Sequence, residues 1–338
     1  MKLTYKAFNL PFKYPFTTAR GTKTHQPTLI VTLEHMGLIG YGEAPAIAYY
    51  NVTIESMIAE LESKRPVIEK YAMQDTDRFW HFLHHLFPTN NFLVCALDMA
   101  SWDLYGKMRN KPLYKLWNLT PNTTIQTDYT IGIDTVDKMV AKMQENPWPI
   151  YKVKMGWADD IAMITALRQQ TNNPIRVDVN SGWTVAEALQ KLPLLKDLNI
   201  EFVEEPIERF NYTGMATIYN NSPLPLMADE SCVTEADVEK CATCYNGINI
   251  KLTKCGGITP ALRMIQNAKS KGLKVMLGCM NESTIGSAAM AQMLPLLDYV
   301  DMDGPLLLTN DVAVGLTYNN GYVTVTEAAG LGIAYTGM

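Results

Sequence analysis

Tyr151-Lys152-Val153-Lys154-Met155-Gly156 ends an apolar run that begins near residue 149 and stops at a glycine, which is the outline of a short buried strand. Lys152 and Lys154 are two residues apart, so their side chains point the same way if this stretch is a strand. Lysine is rarely fully buried without a partner. The stretch therefore predicts that anionic groups from elsewhere in the chain lie opposite these two ammonium groups.

The chain beyond about residue 124 repeats this pattern of an apolar run closed by a polar residue. Successive run ends are 22 to 27 residues apart, which accommodates one strand, one helix and two short loops. Helix signals lie between the runs: a capping box at Thr184–Glu187, a proline at the predicted first helical position after Thr259, and a stop at Gly272. With an earlier strand at 127–130, eight βα repeats predict a (β/α)₈-type barrel. The runs end near Lys154, Asp178, Glu204, Asp229, Lys251, Gly278 and Asp301.

The chain before this repeat reads differently. Residues 1 to about 50 resemble strands and turns, with a predicted polar-tipped loop over residues 11–22, and residues 53–115 are helical in pattern. Strands followed by helices indicate an α+β domain. We therefore assign residues 1–120 to an α+β domain, 121–306 to the barrel, and 307–338 to a strand or hairpin segment that returns to the first domain.

Composition indicates a globular protein that has no reason to bind nucleic acid or an anionic membrane. Of 338 residues, 47% are apolar and 19% charged, and the net charge is −5. No apolar run approaches the roughly 20 residues of a membrane helix. The first residues alternate like a strand and lack the apolar core of a signal peptide. We expect a cytoplasmic homo-oligomer whose six cysteines are free thiols.

Two further clusters are interpreted as structural. Cys241 and Cys244 form a C-x-x-C without a second pair or a nearby histidine, which argues against a zinc or redox site. All five histidines lie before residue 86, and the three at positions 81, 84 and 85 fit a solvated helix face better than a metal site. Base chemistry later in the chain must therefore use other residue types.

Three carboxylates close adjacent predicted strands: Asp178, Glu204 and Asp229. Active sites of such barrels lie at the carboxyl ends of the strands, so these groups can converge there. Three oxygen ligands without histidine or cysteine suit Mg²⁺, with Mn²⁺ as an alternative, and leave positions for water and substrate. The alternative is a set of salt bridges with Lys154 and Lys251, for which burying five charges would be expensive.

The two lysines flank the carboxylates in strand order and can face each other across a bound metal. A metal and a second ammonium would lower the pKa of a lysine towards that of a working base. The metal would also stabilise the enediolate formed when a proton leaves a carbon next to a carboxylate. One lysine would remove the proton and the other would return it on the opposite face, which is racemisation or epimerisation.

These residues resemble the enolase superfamily, muconate lactonising enzyme subgroup, over nearly the whole chain. The resemblance rests on Lys152-Val153-Lys154 and on the motifs that contain the three carboxylates, with Lys251-Leu252-Thr253-Lys254-Cys255-Gly256-Gly257 and the segments 40–43 and 100–107. It implies an α/β fold, a modified TIM barrel (β/α)₇β with an N-terminal α+β capping domain. It also implies that Lys154 and Lys251 are the acid/base pair, that Asp178, Glu204 and Asp229 bind one Mg²⁺, and that Lys152 is an auxiliary cation near the substrate carboxylate.

Within that subgroup the chain looks like the dipeptide epimerases that act on L-Ala-D/L-Glu from murein turnover. This resemblance rests on Asp301-Met302-Asp303. In those enzymes this D-x-D motif binds the α-ammonium of the N-terminal residue, because a free amine needs an anionic partner. The likeness also implies substrate contacts for Thr130 and for Met280 in the seventh-strand loop. Arg20, in the cap loop, is suited to the side-chain carboxylate of glutamate.

The chain departs from the usual family pattern at two places. Glu205 stands where glutamine is common, and Cys279 and Asn281 replace a more usual serine and isoleucine beside Glu282, whose role the sequence does not reveal. The alternatives within the fold are an o-succinylbenzoate synthase or an N-acylamino acid racemase, neither of which needs an anionic amine pocket. The alternative from another functional class is a non-catalytic metal-dependent binding protein that inherited the barrel.

Overall fold

The computed structural model describes residues 1–121, 124–157 and 159–337. The chain begins with a three-stranded antiparallel sheet in the order β1-β2-β3, covered by helices. These elements form the predicted α+β cap. They are β1 (Lys2–Thr18), β2 (Gly21–His35), β3 (Leu38–Pro45), α1 (Ile54–Lys70), α2 (Thr76–Leu86), α3 (Asn91–Met108) and α4 (Leu113–Leu116), with a 3₁₀ turn at Ala48–Tyr50.

The predicted loop over residues 11–22 is wrong in extent. Strand β1 continues through it to Thr18, with an irregularity in pairing between Pro11 and Phe16, and only a two-residue turn separates β1 from β2. Proline cannot donate a hydrogen bond to a sheet, but Pro11 and Pro15 lie in β1, which is an edge strand of its sheet, where proline is tolerated. The long hairpin therefore holds the tip around Arg20 as an extension of the cap sheet.

The second part is a parallel eight-stranded barrel with helices between the strands. An isolated parallel bridge between Thr127 and Val300 joins the first strand's edge to the last and closes the barrel. The strands are β4 (Tyr129–Ile131), β5 (Tyr151–Lys154), β6 (Ile175–Asp178), β7 (Ile200–Glu204), β8 (Leu226–Ala228), β9 (Gly247–Ile250), β10 (Lys274–Gly278) and β11 (Tyr299–Asp301). The fold prediction, a modified TIM barrel with an α+β cap, is confirmed.

The barrel helices are α5 (Val136–Glu145), α6 (Asp160–Arg168), α7 (Val185–Asp197), α8 (Tyr212–Asn221), α9 (Val238–Cys241), α10 (Leu252–Cys255), α11 (Ile258–Ser270), α12 (Thr284–Ala291) and α13 (Gly304–Leu307). The capping box at Thr184 and Glu187 is present at the start of α7. Pro260 is the third residue of α11, not the first as predicted, because Gly257 is the N-cap. The three histidines are exposed on helix α2, and the six cysteines are buried and free.

Buried carboxylates from the cap dock onto barrel helices. Glu43 of β3 accepts hydrogen bonds from Ser283 N (3.0 Å), Ser283 Oγ (2.6 Å) and Gly286 N (3.0 Å) at the start of α12. Asp98 of α3 accepts from the N–H and hydroxyl of Thr259 in the first turn of α11. A negative charge at a helix N-terminus is favourable, so these contacts fix the cap over the carboxyl ends of the barrel strands. Gly257 is required here, because a Cβ would collide with the Asp98 carboxylate.

The C-terminal segment forms β12 (Ala313–Val314), β13 (Leu316–Asn319), β14 (Tyr322–Val325) and β15 (Ala334–Tyr335), with β13 and β14 paired as the predicted hairpin. Leu113 N donates to Gly330 O at 3.2 Å, and Leu331 N donates to Asp103 Oδ1 at 2.8 Å. The segment thus contacts α3 and α4. The boundaries at residues 120 and 306 stay a prediction, and Met338 lies outside the described residues. No helix in the described part of the chain is long and apolar enough to cross a membrane.

Candidate active site

The three predicted metal ligands converge at the carboxyl ends of neighbouring strands. Asp178 and Glu204 end β6 and β7 and are paired in register, and Asp229 directly follows β8. All three side chains are buried, and one ligand oxygen from each lies within 4.8 Å of the other two. Because strand ends of a parallel barrel meet at one rim, spacing along the chain was sufficient to predict this cluster.

The cluster fits a divalent cation. Glu204 Oε1 accepts a hydrogen bond from Asn249 Nδ2 at 2.7 Å, whereas Oε2 is buried and has no aligned donor among the described residues, although Lys152 Nζ lies 2.9 Å away. Burial, followed by the negative charge of Asp178, raises the pKa of Glu204 to about 7. A buried carboxylate oxygen without a hydrogen bond is costly unless a cation binds it. Three hard oxygen donors at this spacing suit Mg²⁺.

The two predicted acid/base lysines lie on opposite sides of the carboxylates. Lys154 Nζ is 2.6 Å from Asp178 Oδ2, and Lys251 Nζ is 2.6 Å from Asp229 Oδ2. Lys154 ends β5 and Lys251 follows β9, four strands apart in an eight-stranded barrel, so the two ammonium groups reach the centre from opposite walls. Both also line the central cleft. A substrate in the cleft would present one face to each amine.

The expected lowering of the lysine pKa is not produced by the protein groups alone. Burial opposes the charge on Lys251, but the nearby Asp229 carboxylate outweighs it, and the pKa of Lys251 is raised. Asp178 shows the corresponding effect on a carboxylate. Burial raises its pKa, but the positive charges of Lys152 and Lys154 outweigh burial, so the pKa of Asp178 is lowered. Asp229, one of the carboxylates that could hold a metal, thus also favours the protonated form of Lys251. The sequence-based expectation depended on the metal's charge, which none of these side chains supplies.

Lys152 lies beneath the cluster instead of beside the cleft. Its Nζ is within 3.0 Å of Asp178, 2.9 Å of Glu204 and 2.7 Å of Asp301, and its side chain is 1% exposed. It is not among the residues that line the cleft. The family resemblance implied that the Lys152 ammonium lies near a substrate carboxylate. The structure makes it the common partner of three buried carboxylates, which it holds together from below.

Sequence reasoning gave no role to Lys254, which is a fourth buried ammonium of the site. Its Nζ donates to Asp229 Oδ1 at 2.6 Å and to Asn249 O at 3.1 Å, and it also contacts the carbonyl oxygen of Asp229. Asp229 therefore lies between Lys251 and Lys254. The signal was present in the Lys251-x-x-Lys254 spacing, which puts both ammonium groups on one side of the helical turn α10.

A second acidic cluster lies at the end of β11. Donor atoms of Asp301, Asp303 and Cys279 lie within 4.8 Å of one another. Asp301 Oδ2 accepts from Lys152, while its Oδ1 is buried and has no hydrogen-bond partner in the part of the chain that the structure describes; Asp303 Oδ2 accepts from Thr130 N at 2.6 Å. Burial, and then Asp301, raises the pKa of Asp303 to about 6. Asp303 lies beyond the strand, at the start of α13, so the two carboxylates meet through a turn and not through the alternation of side chains along a strand.

Thr130 contributes its backbone to this cluster. Its N–H binds Asp303, and its carbonyl oxygen accepts from Lys142 Nζ at 2.9 Å. Thr130 also lines the cleft, as do Asp301 and Asp303. The predicted contact position therefore lies at the cleft wall. There the backbone N–H of Thr130 orients the Asp303 carboxylate.

The predicted role of Arg20 does not match its surroundings. Arg20 Nη2 is 2.7 Å from Glu230 Oε1 and donates to Asn180 O at 3.2 Å, and the guanidinium lies 3.8 Å from the centre of the Tyr49 ring. Glu230 is buried, with 2% of its side chain exposed, whereas 28% of the Arg20 side chain is exposed. The charge that was expected to bind a substrate carboxylate is thus already neutralised by the chain itself.

Two cap residues that the sequence did not single out also line the cleft. Lys23 lies opposite Phe16 in the β1–β2 hairpin, and its Nζ is 3.4 Å from the amide oxygen of Gln26. Tyr50 follows Tyr49 in the 3₁₀ turn, and its hydroxyl is buried without a hydrogen-bond partner in the described part of the chain. Period-two alternation from Gly21 would have placed Lys23 on the cleft side of β2 if the hairpin had been recognised.

The loop after β10 connects the cleft to the cap. Cys279, Met280 and Asn281 line the cleft, and Met280 also packs against the apolar core of the cap. Glu282 turns back to accept from Met280 N, and burial, then Glu43, raises the pKa of Glu282 to about 7. The structure therefore gives Glu282 a local role in shaping this loop.

Glu205 is directed away from the metal-ligand cluster. It accepts from Asp229 N at 2.8 Å and from Ser231 N and Oγ at 3.2 and 2.5 Å. Burial and Glu230 raise the pKa of Glu205 to about 8. The departure from the usual glutamine thus organises the loop that carries Asp229 and adds no ligand to the cluster.

The lysine pair, the acidic pair and the cap residues Arg20, Lys23 and Tyr50 surround one cleft between cap and barrel. Its floor holds the lysine pair, its β11 side holds the acidic pair, and its roof is formed by the β1–β2 hairpin and the 3₁₀ turn. A small organic molecule with a cationic and an anionic end would fit the charges. The residues that line the cleft include Arg20, Lys23, Tyr50, Thr130, Lys154, Lys251, Met280, Asp301 and Asp303.

Comparison with known proteins covers both parts of the chain. Residues 2–117 match the family described as Mandelate racemase / muconate lactonizing enzyme, N-terminal domain, and residues 134–337 match Enolase C-terminal domain-like. An L-Ala-D/L-amino acid epimerase of Flavobacterium johnsoniae is 47% identical over 333 residues, 98% of this chain and 99% of that protein. An L-Ala-D/L-Glu epimerase of Bacteroides thetaiotaomicron is 36% identical over 337 residues, 98% and 88% of the two chains. The crystal structure of a Cytophaga hutchinsonii dipeptide epimerase, complexed with Mg and D-Ala-L-Val, has a TM-score of 0.93 and 30% identity, covering 99% of this chain and 96% of that one.

Proposed function

Because the chain belongs to the mandelate racemase / muconate lactonizing enzyme family of the enolase superfamily, we propose that it is an isomerase that epimerises dipeptides at the α-carbon of the C-terminal residue. The observation that carries this proposal is the buried pair Asp301 and Asp303 on the wall of the cleft that contains Lys154 and Lys251, with one carboxylate oxygen that has no hydrogen-bond partner among the described residues. An acidic pair next to an acid/base pair suits a substrate that has a free α-ammonium and an acidic C–H.

The acidic pair orients the dipeptide. The α-ammonium of its first residue binds Asp301 Oδ1 and Asp303, so it supplies the hydrogen bonds that the buried carboxylate lacks. The C-terminal carboxylate then points towards the triad of Asp178, Glu204 and Asp229. This places the α-carbon of the second residue between the amines of Lys154 and Lys251. Fixing both ends of the substrate removes orientational freedom before the proton moves.

Proton transfer follows from the opposed lysines. One neutral amine takes the α-proton as the C–H bond breaks, and the ammonium on the other face gives up an N–H proton to form a new C–H bond at the same carbon, so the configuration inverts and no other bond to that carbon breaks. Asp178, Glu204 and Asp229 would hold Mg²⁺, which supplies positive charge beside the substrate carboxylate and favours the neutral lysine. Lys152 and Lys254 keep these carboxylates in place from below.

The substrate we favour is L-Ala-D/L-Glu from murein peptide turnover in the cytoplasm. The relatives support an N-terminal alanine, since their names specify L-Ala with D/L-Glu or a wider set of second residues. We further propose a homo-oligomer and Mn²⁺ as a substitute for Mg²⁺. An o-succinylbenzoate synthase or N-acylamino acid racemase has no use for the acidic pair, because neither substrate carries a free amine.

Solvent-deuterium exchange tests the function. The enzyme is incubated with Mg²⁺ and a library of L-Ala-L-Xaa dipeptides in D₂O, and each dipeptide is followed by mass and by chiral chromatography. We expect a one-dalton gain together with the appearance of the L-Ala-D-Xaa epimer. Exchange with N-acylamino acids but with no dipeptide would favour the racemase alternative. Absence of exchange in every compound would support a binding protein instead.

Glu204→Gln should weaken Mg²⁺ binding by more than the roughly 10–100-fold that loss of an outer-shell partner costs, since an ionised ligand becomes neutral. Titration calorimetry and the Mg²⁺-dependent rise in Tm measure this without turnover. Glu205→Gln is the matched control, because the adjacent side chain points away and binds Ser231. Equal weakening in both variants, or none in Glu204→Gln, would contradict the assignment of the triad.

A further inference from the structure

We propose that Lys23, and not Arg20, is the residue that selects an acidic side chain in the second position of the substrate. The inference rests on the proposed dipeptide epimerase function. It concerns the one cation of the described cleft lining that has no carboxylate partner. Arg20 instead holds the tip of the cap hairpin against the barrel.

The charges of the cleft lining separate its four cations into two kinds. Arg20 pairs with Glu230, Lys154 with Asp178, and Lys251 with Asp229, at 2.7, 2.6 and 2.6 Å. Lys23 has no carboxylate within 4.0 Å among the described residues, and its contact is a 3.4 Å approach to a neutral amide. An incoming carboxylate can therefore pair with Lys23 without displacing an existing partner, whereas at Arg20 it would have to compete with buried Glu230.

The surroundings of Lys23 make a substrate carboxylate favourable. The residue is partly buried, and burial, followed by repulsion from Lys251, lowers the pKa of Lys23, with Glu282 acting against this. A partly desolvated ammonium without a counter-ion is costly, and a charge-assisted bond to a carboxylate removes that cost. A neutral side chain of the same size would leave the ammonium unpaired. Lys23 thus discriminates by charge and not by shape.

The position of Lys23 agrees with the substrate orientation derived above. The substrate ammonium lies at β11 and its α-carboxylate at the triad, so the second side chain leaves the α-carbon towards the remaining wall, formed by the cap. Lys23 extends from β2 into this wall. It lines the same cleft as Lys251, whose positive charge repels that of Lys23. The three charged ends of a dipeptide with an acidic second residue then each meet an opposite charge.

Arg20 connects the hairpin to two barrel loops. Its contacts are Glu230, which follows Asp229, and the carbonyl oxygen of Asn180, which lies two residues after Asp178. Tyr49 packs on the guanidinium from the cap side. These contacts close the cleft above the triad whatever the second side chain is. Loss of Arg20 should consequently affect every dipeptide alike.

The test compares L-Ala-L-Glu with its neutral isostere L-Ala-L-Gln. For wild type, Lys23→Met and Arg20→Met, the ratio of kcat/KM for the two substrates is measured with Mg²⁺ present. We expect Lys23→Met to lower this Glu/Gln ratio by about 30-fold, the effect of deleting a charged hydrogen-bond partner. Arg20→Met should lower kcat/KM for both dipeptides while leaving the ratio near the wild-type value. Lys23→Glu should invert the preference in favour of L-Ala-L-Lys.

Two results would overturn the proposal: an equal fall for both substrates in Lys23→Met, or a change of ratio in Arg20→Met but not in Lys23→Met. The rise in Tm caused by each dipeptide gives the same comparison without turnover. Failure of the proposed function is a separate outcome, since it would appear as no deuterium exchange by the wild-type enzyme with any dipeptide. Exchange with an unaltered ratio in Lys23→Met would count only against Lys23.

Discussion

Lys251→Ala is expected to abolish epimerisation while still exchanging the α-proton of one substrate epimer with solvent. Lys154 remains on the opposite wall and can remove and return a proton on its own face, so the configuration does not invert. Lys154→Ala should show the mirror pattern, with exchange of the other epimer alone. The loss in epimerisation should be at least about 10³-fold, in the range of general acid–base contributions. Deuterium incorporation into separate L-Ala-L-Glu and L-Ala-D-Glu samples measures it.

The structure also predicts that both variants fold. When Lys251 is truncated, Asp229 keeps Lys254, and when Lys154 is truncated, Asp178 keeps Lys152, so neither buried carboxylate loses all its cations. A Tm close to that of wild type is the control. Exchange of the same epimer by both variants, or of both epimers by either one, would contradict the two-face arrangement.

Asp303→Asn should lower kcat/KM for L-Ala-L-Glu by about 100-fold, because a buried ammonium would then face an amide in place of one of its two carboxylates. Asp303 is the cleaner choice of the pair, since Asp301 also binds Lys152 at 2.7 Å and its loss would disturb the triad. N-acetyl-L-glutamate carries no ammonium, so its rate relative to the dipeptide should rise in the variant. Measuring deuterium exchange in both compounds gives this ratio.

A control in the same cluster separates charge from packing. Cys279 Sγ lies 3.8 Å from Asp303 Oδ1, and Cys279→Ser alters size little and formal charge not at all. The ratio of dipeptide to N-acetyl rates in this variant should stay near that of wild type. If Asp303→Asn lowered the exchange rates of the dipeptide and the N-acetyl compound equally, the acidic pair would be structural. That result would favour the N-acylamino acid racemase alternative.

The barrel and its rim were predictable because their signals are local. A parallel barrel brings the end of every strand to one rim, so the residue that closes each apolar run marks a position there. Asp178, Glu204 and Asp229 were located from spacing alone, as were Lys154 and Lys251. The cap hairpin was misread because proline argues against a strand, and only the sheet's strand order shows that β1 is at an edge.

The sequence by itself determined which charges meet at the rim, and the tertiary structure decided how they are paired. Lys152 was expected beside the substrate and lies under three carboxylates, and Arg20 was expected free and is neutralised by Glu230, which is 210 residues away along the chain. Strand periodicity fixes the direction of a side chain within its own element. The partner of a charge on a loop depends on remote segments that fold over it, so Lys23 could be identified as the cation without a carboxylate partner in the described cleft lining only once the partners of Arg20, Lys154 and Lys251 were known.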